Sequence, residues 1–317
     1  MAIGRFAPSP TGDLHLGNLR TAVLAWLFAR SAGSAFLMRM EDLDRDAVRP
    51  EYYRRQLEDL AALGLDWDGP VVRQSDRHQR YDDAIDQLER QGAVYPCYCS
   101  RREIREAASA PHHGAMPDGA YPGTCRELTA AERAEREAAG RPGALRLRVD
   151  SAPGHALTIT VHDRLAGPTE CHVDDIVLRR GNGTPAYNLA VVVDDAAQGV
   201  QEVVRGDDLL SSTGRHLYLA DRLGLPRPSH AHVPLVLNPE GVRLAKRDGA
   251  VTLTDRRDRG ESPANVLSWL AHSLELCEAD EPVTARDLID RFDPARLPRR
   301  PWTLRAADLA PSRAVLD

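Results

Sequence analysis

No run of about 18 apolar residues occurs in the 317-residue chain, so no membrane-spanning helix is expected. The start, Met1-Ala2-Ile3-Gly4-Arg5, lacks a basic flank leading into a long apolar stretch, which argues against a secretory signal. Cysteine is scarce. There are five, an odd number, and two of them are spaced Cys97-Tyr98-Cys99, so a disulfide framework is not expected and a reducing cytoplasm is. Internal repeats and long low-complexity tracts are absent. An excess of positive charge is missing too: the net charge of −6 argues weakly against a nucleic-acid binder. What is present is ordinary for a globular protein. Hydrophobic residues make up 42% and charged residues 28%, which allows a normal core and either two domains or one with insertions. Positive charge does gather locally. Six arginines lie between 286 and 305, four of them in Arg296-Leu-Pro-Arg-Arg-Pro-Trp-Thr-Leu-Arg305, a strip that can hold phosphates or simply stand solvated.

The order of patterns predicts an α/β fold. Residues 3–7 read as a strand and Pro8-Ser9-Pro10-Thr11-Gly12 as a breaker. From Asn18, apolar Leu19, Ala22, Val23, Trp26 and Leu27 follow helical spacing until Gly33, and 36–38 read as a buried strand. Such a βαβ unit implies a parallel sheet with ligands at the carboxyl ends of its strands, on the rim that carries residues 8–18 and Glu41-Asp42. Helices are predicted over 51–63 and 76–90, ended by Gly64 and Gly92. Ser100 and Glu103 form a capping-box pattern, and 112–122 read as a loop. Residues 145–149 and 157–161 alternate as half-buried antiparallel strands. Residues 175–180 and 185–193, joined by Gly181-Asn182-Gly183, read as a hairpin. A helix capped by Ser212 or Thr213 and ending at Gly224, a strand over 232–237, and helix from about Ser262 complete the pattern. The expected architecture is a doubly wound, Rossmann-like parallel sheet. Its first half spans 1–96 and its second half 175–250, with an inserted α+β subdomain over 97–174 and a short helical appendage over 251–317.

Three constellations carry chemistry. In the first, His15, Gly17 and Asn18 sit at a helix mouth, where free N–H groups and the dipole favour anions and a glycine allows close approach. The second is Arg243-Leu244-Ala245-Lys246-Arg247 after the turn at 238–241, three cations able to close over a polyphosphate. The third is Cys97-x-Cys99 with Cys125, three thiolates suited to zinc. Chemistry alone favours His112 or His113 over Tyr121 as a fourth ligand.

The first two together resemble the signature motifs of class I aminoacyl-tRNA synthetases. The whole line from Arg5 to Asn18 is similar to the glutamyl/glutaminyl subgroup, as are Met40-Glu41-Asp42-Leu43-Asp44, Tyr187-Asn-Leu-Ala, Val193-Asp194-Asp195, Val204-Arg205-Gly206-Asp207-Asp208-Leu209 and His232-Val-Pro-Leu235. The likeness runs to about Arg300. It implies that Arg5 binds the substrate's side-chain carboxylate, that Ser9 and Glu41 hold the amino acid, Glu41 through its ammonium, and that Tyr187 and Arg205 line the pocket. Two arginines and a glutamate match the two carboxylates and one ammonium of L-glutamate. His15, Gly17, Asn18, Arg243 and Lys246 are implied to bind ATP with Mg2+, and His15 and Lys246 to steady the phosphoryl charge. Some positions depart from the family. Arg243 replaces a lysine and Ala245 a serine of the basic loop, and Val191 stands where many full-length glutamyl enzymes have asparagine, which makes the pocket less polar. Short glutamyl-synthetase paralogues carry Cys-x-Cys…Tyr-x-x-x-Cys, implying Tyr121 as the fourth zinc ligand. About 70 residues follow Lys246, too few for the helical anticodon-binding region. That pattern is similar to paralogues that join glutamate to queuosine in the anticodon arm of tRNA(Asp), and implies a cytoplasmic, monomeric ligase. The alternatives are a truncated enzyme charging the 3′ end of tRNA(Glu), or a non-catalytic module binding glutamate or tRNA.

Overall fold

The computed structural model describes residues 2–100, 102–104, 120–151, 155–245, 248–249 and 251–309. Strand β1 (Gly4–Phe6), helix α1 (Leu16–Ser31) and strand β2 (Phe36–Met40) form the expected βαβ unit, with Gly4 opposite Phe36 in a parallel pair. Helix α1 begins two residues before the apolar spacing predicts, because His15 rather than Asn18 is its cap. It is buried on most of its circumference, so its apolar residues extend well beyond one stripe. Next come α2 (Pro50–Ala62), β3 (Val72–Arg73), α3 (His78–Arg90) and β4 (Val94–Cys97). Gly64 and Gly92 follow α2 and α3 with φ of 77° and 66°, the left-handed conformation that ends a helix most cheaply at glycine.

The central part holds α4 (Ala130–Ala138), β5 (Ala144–Leu147), β6 (Leu157–Asp163), β7 (Gly167–Val173) and β8 (Ile176–Arg179). β5 lies between β4 and β8 in an antiparallel sheet, and β6 pairs with β7 as a hairpin. The hairpin expected over 175–193 does not form. Its first half is β8, but its second half is helix α5 (Tyr187–Ala197). The run Leu189-Ala-Val-Val-Val193 is buried throughout, and a segment buried on all sides shows neither helical nor strand periodicity.

After α5 come β9 (Glu202–Gly206), α6 (Thr213–Leu223), β10 (Ser229–Val233) and β11 (Val236–Leu237). The strand expected over 232–237 is thus two strands, broken at Pro234, which cannot donate to a ladder. β10 joins the main sheet, whose order is β10-β9-β1-β2-β3 with parallel pairing throughout. The chain winds one way from β1 to β3 and the other way from β9 to β10. The switch point between β1 and β9 is where such sheets open a crevice at the carboxyl ends of their strands.

The last segments are α7 (Leu253–Asp258), α8 (Pro263–His272), α9 (Ala285–Arg291), β12 (Trp302–Thr303) and α10 (Ala306–Leu309). They are not a detached appendage. Leu253, Val266, Leu270, Leu288 and Leu304 share one buried cluster with Leu19, Val23 and Leu27 of α1, β12 pairs with β11, and Phe292 meets Phe28 edge-on at 5.1 Å. Among the described residues no helix is long and apolar enough to cross a membrane.

Candidate active site

A cleft of about 560 Å3 opens at the switch point. Its walls are the loop after β1, the end of β2, the start of α5, the loop after β9 and the segment around Val236 and Arg243. Arg5, Ser9, His15, Gly17, Asn18, Glu41, Tyr187, Arg205 and Arg243 all line it. These are the residues expected to bind ATP or the amino acid, apart from Lys246, which lies outside the described residues. Val191 does not line this cleft. It borders a separate cavity of about 20 Å3 beneath it, together with Asp195, Arg205 and His216, so its apolar side chain does not alter the polarity of the main cleft.

Local chemistry shapes the rim. The Nδ1 of His15 accepts the N–H of Asn18 at 3.3 Å, while the Asn18 side chain accepts the N–H of His15 at 3.2 Å, a reciprocal cap on α1. This bond assigns Nδ1 as acceptor and puts the proton of the neutral ring on Nε2. A Cβ on Gly17 would stand 3.0 Å from the His15 ring, so the glycine makes room for the imidazole as well as for any ligand. The loop after β1 is clamped by Gln56, which donates to the carbonyls of Ser9 at 3.0 Å and Gly12 at 2.6 Å. It is tied to β2 by the N–H of Glu41 on the carbonyl of Pro8 at 2.9 Å. The N–H of Leu16 donates to Val251, docking the end of the basic loop on the helix mouth. Arg243 reaches across to Asp208 at 2.5 Å.

Beneath the cleft lies an ionic network whose core the motifs did not reveal. Arg5 grips Asp195 at 3.1 and 3.4 Å. Arg39, wholly buried in β2, bonds Asp195 at 2.7 Å and Glu41 at 3.2 Å, and lies 3.9 Å from Asp194. Arg77 closes the set on Asp194 at 2.5 Å. Burial would raise the Asp195 carboxyl, but Arg5 and Arg39 hold it below the ordinary range. Burial prevails at Glu41 and raises it despite the same two arginines. The sequence signals are an arginine inside the apolar strand Phe36-Leu-Met-Arg39-Met40 and two aspartates closing an apolar run. A charge in such a place needs a partner.

Arg205 is held differently. It donates to His232 Nε2 at 3.0 Å, His216 Nδ1 at 3.2 Å, the Tyr187 hydroxyl at 3.4 Å, the Thr213 hydroxyl at 2.8 Å and the Leu209 carbonyl at 3.2 Å. Burial and the Arg205 charge depress His216 well below the ordinary histidine value and His230 to about 3, and burial lowers His232. These rings are neutral near pH 7, as acceptors from a guanidinium must be.

The thiols of Cys97, Cys99 and Cys125 lie within 4.8 Å of one another, with Cys99 and Cys125 at 3.5 Å. The Tyr121 hydroxyl sits 3.3 Å from the Cys97 sulfur and accepts the N–H of Cys125 at 2.8 Å. Zinc–sulfur bonds of about 2.3 Å in a tetrahedron separate the sulfurs by roughly 3.8 Å, so the cluster fits a metal ion without backbone movement. The hydroxyl thus lies next to the cluster, on the Cys97 side. His112 and His113 lie outside the described residues. The guanidinium carbon of Arg146 stands 3.7 Å from the centre of the Tyr121 ring, a cation beside three potential thiolates.

The mouth of α1 and Arg243 line one cleft with Arg5, Glu41 and Arg205 at a parallel-sheet switch point, an arrangement of the kind that holds a nucleotide beside a charged small molecule. The chain belongs to the tRNA synthetases class I (E and Q), whose catalytic domain it matches over residues 2–311. It is similar to the Glutamyl-Q tRNA(Asp) synthetase of Nocardia farcinica, at 63% identity over 301 residues, covering 95% of this chain and 92% of that one. Its identity to the Glutamyl-Q tRNA(Asp) synthetase of Symbiobacterium thermophilum is 48% over 321 residues, 98% of both. A crystal structure of a glutamate tRNA ligase from Elizabethkingia meningosepticum in complex with its amino acid superposes with a TM-score of 0.80 at 27% identity, over 97% of this chain and 68% of that one.

Proposed function

We propose that the chain uses ATP to activate L-glutamate in this cleft and passes the glutamyl group to queuosine in the anticodon arm of tRNA(Asp). The observation that carries the amino-acid half is a charge count. Arg5, Arg39 and Arg77 balance Asp194, Asp195 and Glu41, three against three, and Arg243 is matched by Asp208. Arg205 touches no carboxylate among the described residues. Among the described residues one positive charge of this set is therefore left over, which complements glutamate, net −1, and not glutamine, net zero. The acceptor half is supported by the relatives, up to 63% identical over nearly their whole length, which are named Glutamyl-Q tRNA(Asp) synthetase.

In this reading the glutamate α-carboxylate attacks the α-phosphorus of ATP, a mixed anhydride forms and pyrophosphate leaves. A hydroxyl of queuosine then attacks the glutamyl carbonyl, an ester forms and AMP leaves. No protein nucleophile is required, because positioning and fixed charge lower the barrier. His15 and the start of α1 face the phosphates, and Lys246, the single lysine of the chain, supplies a cation as charge develops. Mg2+ accompanies ATP. Zinc would be held by Cys97, Cys99, Cys125 and Tyr121 in a structural role, and five free cysteines suit a reducing cytoplasm. ATP–pyrophosphate exchange tests the activation step. Exchange is expected with glutamate and not with glutamine; exchange that glutamate does not stimulate would refute the assignment.

A further inference from the structure

The surplus charge of Arg205 depends on how the arginine is held. Of the cleft arginines described, Arg5 and Arg243 each touch a carboxylate, and Arg205 touches only neutral acceptors. Two of those acceptors are imidazole nitrogens, and each ring is fixed in the required tautomer from its far side. The Nδ1–H of His232 donates to Asp163 at 2.6 Å, which leaves Nε2 as a lone pair facing Arg205. The Nε2–H of His216 donates to Asn188 at 2.9 Å, which leaves Nδ1 as the acceptor. Asp163 is anchored in turn. It closes the β6–β7 hairpin and accepts the N–H groups of Leu165 at 2.9 Å, Ala166 at 2.8 Å and His232 at 3.1 Å. A central-segment hairpin thus sets the orientation of an arginine in the main sheet, through one imidazole.

We propose that Asp163, His232, His216 and Asn188 are positioning residues that fix Arg205 by neutral acceptors, so that its undiminished charge meets a carboxylate of the amino-acid substrate. A carboxylate in place of either imidazole would orient the guanidinium as well, but it would cancel the charge that selects an anionic substrate. This inference rests on the glutamate reading above, and deepens it by saying what maintains selectivity.

The test is glutamate-dependent pyrophosphate exchange by wild type, His232→Leu and His232→Gln. Leucine removes the acceptor, while the glutamine carbonyl can stand near the place of Nε2. His232→Leu should raise KM for glutamate about 10- to 100-fold, the worth of one hydrogen bond to a charged group. KM for ATP should stay within about 3-fold, and His232→Gln should recover most of the loss. Wild type without glutamate-dependent exchange would overturn the functional reading and this inference with it. Active wild type beside a His232→Leu protein with unchanged KM for glutamate would overturn the inference alone. Should His232→Leu not fold, 15N spectra of the wild-type histidines at pH 7 decide. The Nδ1–H tautomer for His232 and the Nε2–H tautomer for His216 support the proposal. The opposite tautomers or doubly protonated rings refute it.

Discussion

Replacing Arg205 with glutamine tests the charge count with little damage to the fold. The amide keeps a donor and removes the charge. A unit charge about 4 Å from a substrate carboxylate is worth roughly 4 kcal/mol at an effective dielectric constant of 20, equivalent to about 1000-fold in affinity. The retained neutral hydrogen bond returns about 1 kcal/mol of this. KM for glutamate should therefore rise about 100- to 1000-fold, KM for ATP should stay within about 3-fold, and use of glutamine should change little, so discrimination between the two amino acids collapses. Stability offers a second, opposite-looking readout. Arg205 neutralises no acid but serves buried acceptors, so Arg205→Gln should lower the unfolding free energy by about 1–2 kcal/mol. Arg5→Ala takes one partner from buried Asp195 and should cost about 3 kcal/mol, the low end for a broken buried pair because Arg39 remains. Exchange kinetics at varied glutamate, with urea unfolding of both variants, measure this. A KM for glutamate unchanged in Arg205→Gln, or an equal loss for ATP, would refute the reasoning.

Three further expectations follow from other parts of the molecule. The purified protein should carry about one zinc per chain, and Cys125→Ser should lose it together with thermal stability, as read by metal analysis and calorimetry; metal-free protein prepared without chelators would remove the site. His230, held near 3 in the folded state, should make stability fall as pH drops below 6.5, because the unfolded chain then binds the extra proton. The loss is about 2 kcal/mol at pH 5, so His230→Asn should flatten the slope between pH 6.5 and 5, and an unchanged slope in that variant counts against a buried neutral ring. Because Lys246 is the only lysine, an amine-directed reagent at alkaline pH should label one side-chain site, and ATP should protect it; labelling indifferent to ATP would separate Lys246 from the nucleotide.

Much of the site was legible because its residues sit in short contiguous blocks. The line from Arg5 to Asn18 contains a strand end, a turn and a helix mouth, and the structure places its members on one cleft. The ionic floor was harder to read. Arg39, Arg77, Asp194 and Asp195 are linked by contacts more than 100 residues apart, and nothing local pairs them. The same holds for Asp163 and His232, 69 residues apart on elements that periodicity does not bring together. The strand expected at α5 fails for another reason. Three consecutive valines favour a strand locally, but packing around Val191 to Val193 buries every face of the segment, so tertiary context decided against propensity. Pro234 marks the break between β10 and β11, but the partner of β11, Trp302 far along the chain, could not be read locally.

The central claim is the joining of glutamate to queuosine in tRNA(Asp), and the position of the label on the RNA tests it most directly. Purified protein, ATP and labelled glutamate are incubated with total tRNA, and the labelled RNA is isolated and cut with a base-specific nuclease. Label is expected in the anticodon-loop fragment of queuosine-containing tRNA(Asp), and none in tRNA from a strain that lacks queuosine. Label on the terminal adenosine of tRNA(Glu) would contradict it.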